Sequence, residues 1–308
     1  MSYVFCTPIK IDELDALKIE HPNFSATLLL QGAQLIGFSP NDNNLATDPY
    51  RNNLIWLSDS AEFKKGQSVR GGIPICWPWF GDINKNPECI KQQVNNLNPL
   101  PAHGFVRNLE WCITNIDENC QYVSIDLDIS STPETLKIWP FSFNLRARFK
   151  FSQQLEIELI TTNMSDSDMH FSQALHTYLP TTDIHATYIH NANRARYVDA
   201  LDNWQMKEQI GRISFKQETD RLYFFNAKNN AYELRVETPG RQLLLHNKNT
   251  ASAVIWNPWI EKSLRLSQFD AEDYKTMFCI ETASVLEDAK QLASQKSDGI
   301  SMVLAGLN

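Results

Sequence analysis

Alternation of apolar and polar residues with a period of two is the feature that most constrains this fold. In the segment FSFNLRARFKFS, apolar residues occupy every second position from Phe141 to Phe151, with Ser, Asn, Arg and Lys between them. Because successive side chains of a β-strand point to opposite faces of the sheet, this pattern predicts a strand with one buried and one solvated face. The segments YVSIDLDIS and LEIELI alternate in the same way. Together with LEWCITNI, they predict an antiparallel meander over about residues 109–161.

Strand-like segments dominate the rest of the chain as well, whereas helical periodicity is scarce. The strand candidates are ATLLLQGAQLIGF, with a break near Gly32, and LIWLS, HFSQALHTYL, YELRVET, RQLLLHN, SAVIWNP and MFCIETASV. Only DELDALK and LEDAKQLAS predict short helical turns. Strands that do not alternate with helices favour an all-β antiparallel sandwich over a doubly wound sheet. The length of 308 residues by itself fits either one large sandwich or two ordinary domains.

The composition excludes several classes of partner and chemistry. A net charge of −8 argues against a broad surface for nucleic acid or anionic membranes, so an anionic ligand must be met by a local group of arginines. The amino terminus lacks the basic and apolar regions of a secretory signal, and no segment reaches the length of a membrane span, so we expect a cytoplasmic protein. The sequence also lacks the fingerprints of dinucleotide sites, P-loops, zincins and serine hydrolases.

The six cysteines are dispersed along the chain, without a C-x-x-C pair or the Cys/His spacing of a zinc site. We therefore expect reduced thiols, most of them in the core, and no metal.

The segment RGGIPICWPWFG, residues 70–81, concentrates aromatic residues where prolines oppose regular structure. Pro74 and Pro78 remove backbone donors and restrict the residues before them, so a shaped loop is expected in place of a helix or central strand. Its Trp77 and Trp79 either plug a core or form the floor of a pocket for a ring-shaped ligand. A long polar segment follows over residues 80–101, and long loops in compact domains are often functional.

Two polar residues stand out within apolar strand candidates. Glu281 follows the apolar run MFCI, where a buried carboxylate is costly unless it is paired or used in chemistry. It is therefore a candidate for catalysis or for a buried salt bridge. His176 ends an apolar strand, where it is either a hydrogen-bonded sheet residue or a catalytic group.

Three further charged residues are candidates for ligand binding. Arg70 and Arg107 lie near glycines that allow close backbone approach to a ligand, although both also fit surface charges. Asp220 adjoins Arg221 and is either a ligand-binding residue or half of a surface ion pair of small energetic value.

Six ordered motifs run through nearly the whole chain from about Phe24: RGGIPICWPWFG, AHGFVRNLEW, ALHTYL, DRLY, WNPW and CIETAS. In this order they resemble the glucose-6-phosphate 1-epimerase, or hexose-6-phosphate mutarotase, branch of the aldose 1-epimerase family. The resemblance implies a single domain over residues 1–308, a large antiparallel β-sandwich of the galactose-mutarotase type. It also implies an enzyme that interconverts the α and β anomers of a hexose 6-phosphate, expected to be glucose 6-phosphate, without a cofactor.

The resemblance places the catalytic histidine of the family on His176 and its catalytic glutamate on Glu281. Anomer exchange removes a proton from the C1 hydroxyl and protonates the ring oxygen, so that the ring opens to an aldehyde and then closes again. One group must therefore act as a base and another as an acid. We expect Glu281 to serve as a carboxylate base and His176 as an imidazolium acid.

The resemblance also implies a set of substrate-binding residues. Arg70, Arg107 and Asp220 fall on positions that bind the sugar phosphate in similar proteins, and arginine forks suit a phosphate dianion. His103 lies beside a histidine that positions the substrate in related mutarotases. One position departs from the branch: Ala102 stands where glutamine is common, so a substrate hydrogen bond is expected to be missing or replaced by water.

Other functions fit part of the same evidence. Glu281 and Asp220 fit the two carboxylates of a glycoside hydrolase, although His176 then has no task. A non-catalytic carbohydrate-binding module would stack sugars on the tryptophans of the two Trp-Pro motifs, Trp77, Trp79, Trp256 and Trp259. A purely structural sandwich would use them as core corners. We expect the partner to be a small sugar phosphate, not nucleic acid or a membrane, and the protein to be a monomer.

Overall fold

Antiparallel sheets form the framework of the computed structural model, which describes residues 4–41, 52–95, 99–226 and 230–307. The strands are β1 (Cys6–Ile11), β2 (Leu14–His21), β3 (Phe24–Leu29), β4 (Leu35–Pro40), β5 (Ile75–Cys76), β6 (Cys112–Glu118), β7 (Val123–Ser130), β8 (Phe143–Phe151), β9 (Gln154–Asn163), β10 (Met169–Phe171), β11 (Gln173–Pro180), β12 (Tyr188–His190), β13 (Arg196–Asp199), β14 (Gln205–Glu208), β15 (Ile213–Ser214), β16 (Thr219–Phe224), β17 (Ala231–Thr238), β18 (Arg241–Lys248), β19 (Ser252–Asn257), β20 (Met277–Ser284), β21 (Lys290–Leu292) and β22 (Ser297–Leu307).

Within the described ranges, the strands form four sheets. A nine-stranded sheet has the order β15-β12-β17-β18-β22-β9-β8-β7-β6, and a seven-stranded sheet has the order β14-β13-β16-β19-β20-β11-β5. Strands β1 to β4 make a four-stranded sheet in chain order, and β10 pairs with β21. The sequence prediction of an all-β fold is therefore confirmed.

Helices are few and short in the described part of the chain. The α-helices are α1 (Glu88–Lys91), α2 (Pro133–Ile138) and α3 (Trp259–Ser263), and the 3-10 turns are Ile83–Lys85, Val106–Asn108, Ile184–Ala186, Asp273–Lys275 and Leu286–Asp288. None of the helices in the described ranges has the length and apolar character needed to cross a membrane.

The predicted meander is present as β6 to β9, interrupted only by α2 between β7 and β8. Along β8, buried residues alternate with partly exposed ones, as the period of two requires. The polar face is held by cross-strand ion pairs: Arg146 Nε donates to Asp128 Oδ1 and Arg148 Nε donates to Asp126 Oδ1, each at 2.8 Å. The charged side chains of this strand therefore stabilise the sheet by cross-strand pairing.

One apolar cluster joins the sheets into a sandwich. Leu175 of β11 and Ile280 of β20 belong to the same buried cluster as Leu159 of β9 and Met302 of β22, from the nine-stranded sheet. Phe24 of the four-stranded sheet is buried in this cluster too. The opposite face of the seven-stranded sheet carries separate, smaller clusters, and this is the face left for a site.

Two local predictions, for DELDALK and LIWLS, are wrong, and a third, for LEDAKQLAS, is correct only in part. The segment DELDALK, read as a helical turn, lies mainly in β2, because Leu14 and Ala16 pack in the sheet where β2 pairs on both sides. LEDAKQLAS forms a 3-10 turn followed by β21. LIWLS contributes one isolated bridge, between Leu57 and Gly71, in place of a strand.

The aromatic segment RGGIPICWPWFG plugs the core. Its residues Ile75 and Cys76 form β5 at the edge of the seven-stranded sheet, and the Trp77–Pro78 peptide bond is cis. Both Trp77 and Trp79 are fully buried. The indole of Trp77 donates to Thr161 Oγ1 of β9 at 3.1 Å, and that of Trp79 donates to the Pro101 carbonyl at 3.0 Å. Buried indoles with satisfied N–H groups belong to the fold and cannot stack on a ligand.

The glycines beside Arg70 serve the same packing. A Cβ at Gly71 would lie 2.7 Å from Leu57 Cα, and one at Gly72 would lie 2.4 Å from the Leu35 carbonyl oxygen. The expectation that they admit a ligand close to the backbone is therefore wrong: they admit neighbouring backbone segments of this chain.

The cysteines are all free, as expected, but most are not in the core. Cys76 and Cys279 are buried, Cys6 is half-buried, and Cys89, Cys112 and Cys120 are exposed.

Candidate active site

Two rows of side chains across the outer face of the seven-stranded sheet form the floor of the site. Residues alternate along β11 and β20, so positions 176, 178, 279 and 281 face away from the shared core. The antiparallel register aligns them with β19 and β16, giving one row of Leu222, Val254, Glu281 and His176 and a second row of Asp220, Trp256, Cys279 and Tyr178.

Two adjoining cavities, of about 420 and 370 Å³, open over this floor. Both are lined by Arg70, His103, His176 and Tyr178. Glu281 lines only the larger cavity, together with Asp220 and Lys262, whereas Arg107 lines only the smaller one. His176 therefore stands at the junction, with the carboxylates on one side and Arg107 on the other. All six residues predicted from the sequence are gathered here.

His176 and Glu281 are direct cross-strand partners. His176 Nε2 lies 3.4 Å from Glu281 Oε1, and the residues are 9% and 1% exposed. His176 Nδ1 and Glu281 Oε2 are buried and have no hydrogen-bond partner among the described residues. Buried polar atoms without partners are rare in folded proteins and mark groups that await a ligand or water.

The pKa values of this pair are shifted toward the neutral forms. Burial, reinforced by the positive charges of Arg107 and Arg70, lowers the pKa of His176 to about 3. Burial, reinforced by the negative charge of Asp220, raises the pKa of Glu281 well above its usual value. These shifts favour a neutral imidazole and a protonated carboxyl, opposite to the charges expected from the sequence.

The two arginines carry charges that no described carboxylate neutralises. Arg70 donates to the Tyr178 hydroxyl from Nη1 and to the Ser267 carbonyl from Nε, each at 3.3 Å. Arg107 has no side-chain hydrogen bond to any residue the structure describes, and its Nε is buried. Guanidinium groups in this state are ready to bind an anion.

His103 faces both cavities from a backbone with φ of +64°. Its Nδ1 accepts a hydrogen bond from the Gly81 N–H at 3.3 Å. Burial, together with the positive charges of Arg107 and Arg70, lowers its pKa, so the ring is neutral and carries its proton on Nε2. The neighbouring Ala102 is exposed and lines neither cavity.

Asp220 is held by a lysine that sequence reasoning missed. Lys262 Nζ, from α3, lies 3.5 Å from Glu218 Oε1 and 4.0 Å from Asp220 Oδ2. Burial raises the pKa of Asp220, and the charge of Lys262 opposes that shift. The alternative of a surface pair with Arg221 is wrong, because Arg221 contacts Asp199, Nε to Oδ2, at 3.8 Å.

Other lining residues carried weaker signals. Tyr178 lies two residues after His176 on the same strand, so the period of two places it on the site face. Trp256 of the WNPW motif faces the larger cavity, and the polar segment after Trp79 contributes Phe80, Asp82 and Lys85 to its wall. Residues 96–98 of that segment lie outside the described ranges. Among the described residues, no group of three or more His, Cys, Asp or Glu is arranged to hold a metal ion.

Comparison with known proteins agrees with this fold. The aldose 1-epimerase family model matches residues 15–303. A curated Escherichia coli (strain K12) protein, named "Putative glucose-6-phosphate 1-epimerase", is 31% identical over 284 residues, covering 91% of this chain and 87% of the relative. A Salmonella typhimurium protein of the same name is 30% identical over 290 residues, covering 93% and 88%.

Solved structures show the same architecture. The crystal structure of a Salmonella typhimurium protein described as a "putative mutarotase" superposes with a TM-score of 0.85 at 27% identity, covering 99% of this chain and 94% of that one. A galactose mutarotase related enzyme from Lactobacillus acidophilus shares the fold, with a TM-score of 0.71 at 15% identity and coverage of 95% and 97%. Fold and site thus define an epimerase of the mutarotase class. The chain belongs to the aldose 1-epimerase family. These matches favour neither a glycoside hydrolase nor a carbohydrate-binding module.

Proposed function

We propose that this protein interconverts the α and β anomers of a hexose 6-phosphate, with glucose 6-phosphate as its substrate. One observation carries the proposal: His176 lines both cavities, Glu281 only the larger one and Arg107 only the smaller one. The names of the curated relatives support the choice of sugar.

The connectivity of the substrate matches this order of residues. In a hexopyranose 6-phosphate, C5 carries both the ring oxygen and the CH₂ group that bears the phosphate, whereas C1 lies beyond the ring oxygen. The group that protonates the ring oxygen must therefore stand between the phosphate and the group that acts on the C1 hydroxyl. His176 has this position between Arg107 and Glu281.

The reaction then uses the pair as acid and base. Glu281 accepts the proton of the C1 hydroxyl, the bond between C1 and the ring oxygen breaks with its electrons moving to oxygen, and His176 donates a proton to that oxygen. After rotation about the C1–C2 bond, the reverse transfers close the ring as either anomer. The pair needs one mobile proton, and positioned proton transfer of this kind is worth about 10²–10⁴-fold in rate.

The arginines recognise the phosphate in the smaller cavity, and residues of the larger cavity bind the sugar. Arg70 and Arg107 have no described carboxylate partner, so a phosphate dianion in the smaller cavity would receive charge-assisted hydrogen bonds from both. Asp220, beside Lys262, offers acceptor oxygens to sugar hydroxyls in the larger cavity. In this proposal, His103 donates a hydrogen bond from Nε2 to the bound substrate.

The rival functions lose specific support. Two of the four tryptophans on which a binding module would stack sugars, Trp77 and Trp79, are fully buried. A hydrolase that pairs Glu281 with Asp220 assigns nothing to His176, which contacts Glu281 at 3.4 Å.

The direct test follows anomer exchange after freshly dissolved α-glucose 6-phosphate is mixed with the protein. We expect a large acceleration over buffer, and losses of at least about a hundredfold in Glu281→Gln and His176→Asn. A folded protein that leaves the buffer rate unchanged would contradict the proposal. Near-normal rates in both variants would return the two side chains to structural roles.

Phosphate recognition is tested with Arg107→Ala, with the exposed Arg265→Ala as the control for lost positive charge. A charge-assisted hydrogen bond is worth about 1.5–3 kcal/mol, so kcat/KM for the sugar phosphate should fall roughly tenfold to a hundredfold in Arg107→Ala. Exchange of unphosphorylated glucose should fall less, or not at all, because glucose has no phosphate for Arg107 to bind. Equal losses for both sugars would show that Arg107 does not recognise phosphate.

The sequence predictions of a monomer in the cytoplasm, and of no nucleic-acid or membrane partner, stay predictions.

A further inference from the structure

His176 lies between charges that oppose its protonation and a carboxyl that could supply the proton. Its Nε2 is 3.4 Å from Glu281 Oε1, close enough for a proton to pass after a small adjustment of either side chain. With one proton, the pair is either a neutral imidazole with a carboxyl, or an imidazolium with a carboxylate. Only the second form has its acid at His176 and its base at Glu281, the roles that the proposed ring opening assigns to these residues.

The surrounding charges decide between these forms. Charged side chains face the pair from several elements: Arg70 from the loop before β5, Arg107 from the Val106–Asn108 turn, Lys262 from α3 and Asp220 from β16. The other titratable groups around the pair stay neutral, because burial shifts the pKa of each toward its uncharged form: His103, Cys76, Cys279 and Tyr178.

The positive charges are unequally compensated. Lys262 lies 4.0 Å from the Asp220 carboxylate and 3.5 Å from that of Glu218. Arg70 has only neutral hydrogen-bond partners, and Arg107 has none among the described residues. These two guanidinium groups, with His176 on the wall of the same cavity, are the charges that a bound anion would cancel.

We propose that a dianion held by Arg70 and Arg107 activates the acid–base pair, so that a free dianion accelerates anomer exchange of a hexose without a phosphate of its own. The inference rests on the proposed function, because it assigns the same two residues to catalysis. The step is an internal proton transfer: the O–H bond of Glu281 breaks, an N–H bond forms on His176, and no proton is exchanged with solvent. The dianion drives it because its two negative charges offset the two guanidinium charges that disfavour the imidazolium.

This role differs from phosphate binding alone. If the arginines only add affinity, a free dianion competes with the sugar phosphate and leaves the exchange of an unphosphorylated sugar unchanged. If they also control the protonation of the pair, the same dianion inhibits exchange of the sugar phosphate and activates exchange of the unphosphorylated sugar. Both effects then saturate over the same range of dianion concentration.

The experiment measures anomer exchange of α-glucose by the full-length protein at pH 7 while sulfate is added, with sodium chloride of equal ionic strength as the control. Sulfate is the probe because phosphate is itself a general acid and base for anomer exchange in solution. Glu281→Gln protein in the same sulfate gives the background. We expect a saturable increase of about tenfold over chloride, within the usual range of coupling between two sites. Half-saturation should match the concentration at which sulfate inhibits exchange of glucose 6-phosphate.

The outcomes separate this inference from the proposed function. If the protein accelerates glucose 6-phosphate exchange over buffer, but sulfate leaves glucose exchange unchanged or slows it, the inference is overturned and the proposed function stands. Sulfate activation of glucose exchange, without turnover of glucose 6-phosphate, supports the inference and overturns the proposed substrate. Acceleration of neither sugar overturns both.

A second readout does not depend on turnover. In ¹⁵N NMR spectra, the ring signals of His176, assigned by their loss in His176→Asn, should move toward the imidazolium position when sulfate is added. Unchanged ring nitrogens at saturating sulfate would overturn the inference.

Discussion

At the scale of single residues, the site is built from groups that burial makes unfavourable in their charged forms. Glu281 and His176 are nearly inaccessible, and each has a buried polar atom without a described partner. Sequence reasoning selected Glu281 as a candidate because a carboxylate after MFCI conflicts with its surroundings unless it is used, and the family resemblance selected His176. The sequence could not predict their protonation, because the charges that set it come from Arg70, Arg107 and Asp220, which are distant in the chain.

The buried pair makes folding stability depend on pH in two opposite directions. The pKa of His176 is about 3 in the fold and about 6.5 in the unfolded chain, so the unfolded state binds more protons between these values and stability is lost as pH falls below 6.5. Glu281 has a raised pKa, so the folded state binds more protons above about pH 4.3, and stability is lost as pH rises above that value.

Thermal unfolding of two variants should show these slopes. At pH 5 the His176 effect amounts to about 2 kcal/mol, from about 1.5 pH units at 1.36 kcal/mol each. The Tm of His176→Asn relative to wild type should therefore be higher at pH 5 than at pH 8. The relative Tm of Glu281→Gln should instead rise from pH 5 to pH 8. Differences in Tm between variant and wild type that do not change with pH would contradict the shifted pKa values.

At the scale of elements, strand periodicity predicts individual strands and their faces. It does not predict which strands distant in the chain pair with each other. A period of two identifies β8 and β9 and the face of each residue. The cross-strand contact of His176 with Glu281 depends on the register between β11 and β20, which no local pattern specifies. Arg70 and Arg107 reach the site from loops, where the backbone path is fixed by tertiary packing.

Gly104 is the clearest case in which one residue fixes such a loop. Its φ is +73°, and a Cβ there would lie 1.9 Å from the carbonyl oxygen of Trp77. The loop that carries His103 and Arg107 is thus packed directly on the buried Trp77–Pro78 segment. Gly240, in the turn between β17 and β18, has a φ of +77° and nothing within 4 Å of its Cβ position.

Alanine substitutions at these two glycines separate the free-energy cost of backbone strain from that of a steric clash. Gly240→Ala should cost about 1–2 kcal/mol, the usual penalty of a left-handed conformation for a residue with a Cβ. Gly104→Ala adds a collision with backbone atoms, so its loss in urea-unfolding free energy should be at least about twice as large, and anomer exchange should fall with it. Equal losses in both variants would show that the loop moves freely away from Trp77.

At the scale of the whole molecule, the positive side chains of the site and the apolar core lie on opposite faces of the seven-stranded sheet. The net charge is −8, yet Arg70, Arg107 and Lys262 gather on one face of the seven-stranded sheet. A local positive cluster of this kind can form an anion site on an acidic protein, since exposed charges beyond about 8–10 Å are screened at physiological salt. The core lies on the other face and includes residues from the four-, seven- and nine-stranded sheets.

That shared core leads to a prediction about unfolding. The interpretation of residues 1–308 as one domain is still a prediction, and it requires the three sheets to lose their packing together, because Phe24, Leu175 and Met302 belong to one apolar cluster. Calorimetry should therefore show a single transition. Sulfate should raise its temperature as a whole, since a ligand that binds only the folded state stabilises it by about 2.7 kcal/mol at a hundred times its dissociation constant. Two resolved transitions, with only one of them moved by sulfate, would show that the site and part of the sandwich fold independently.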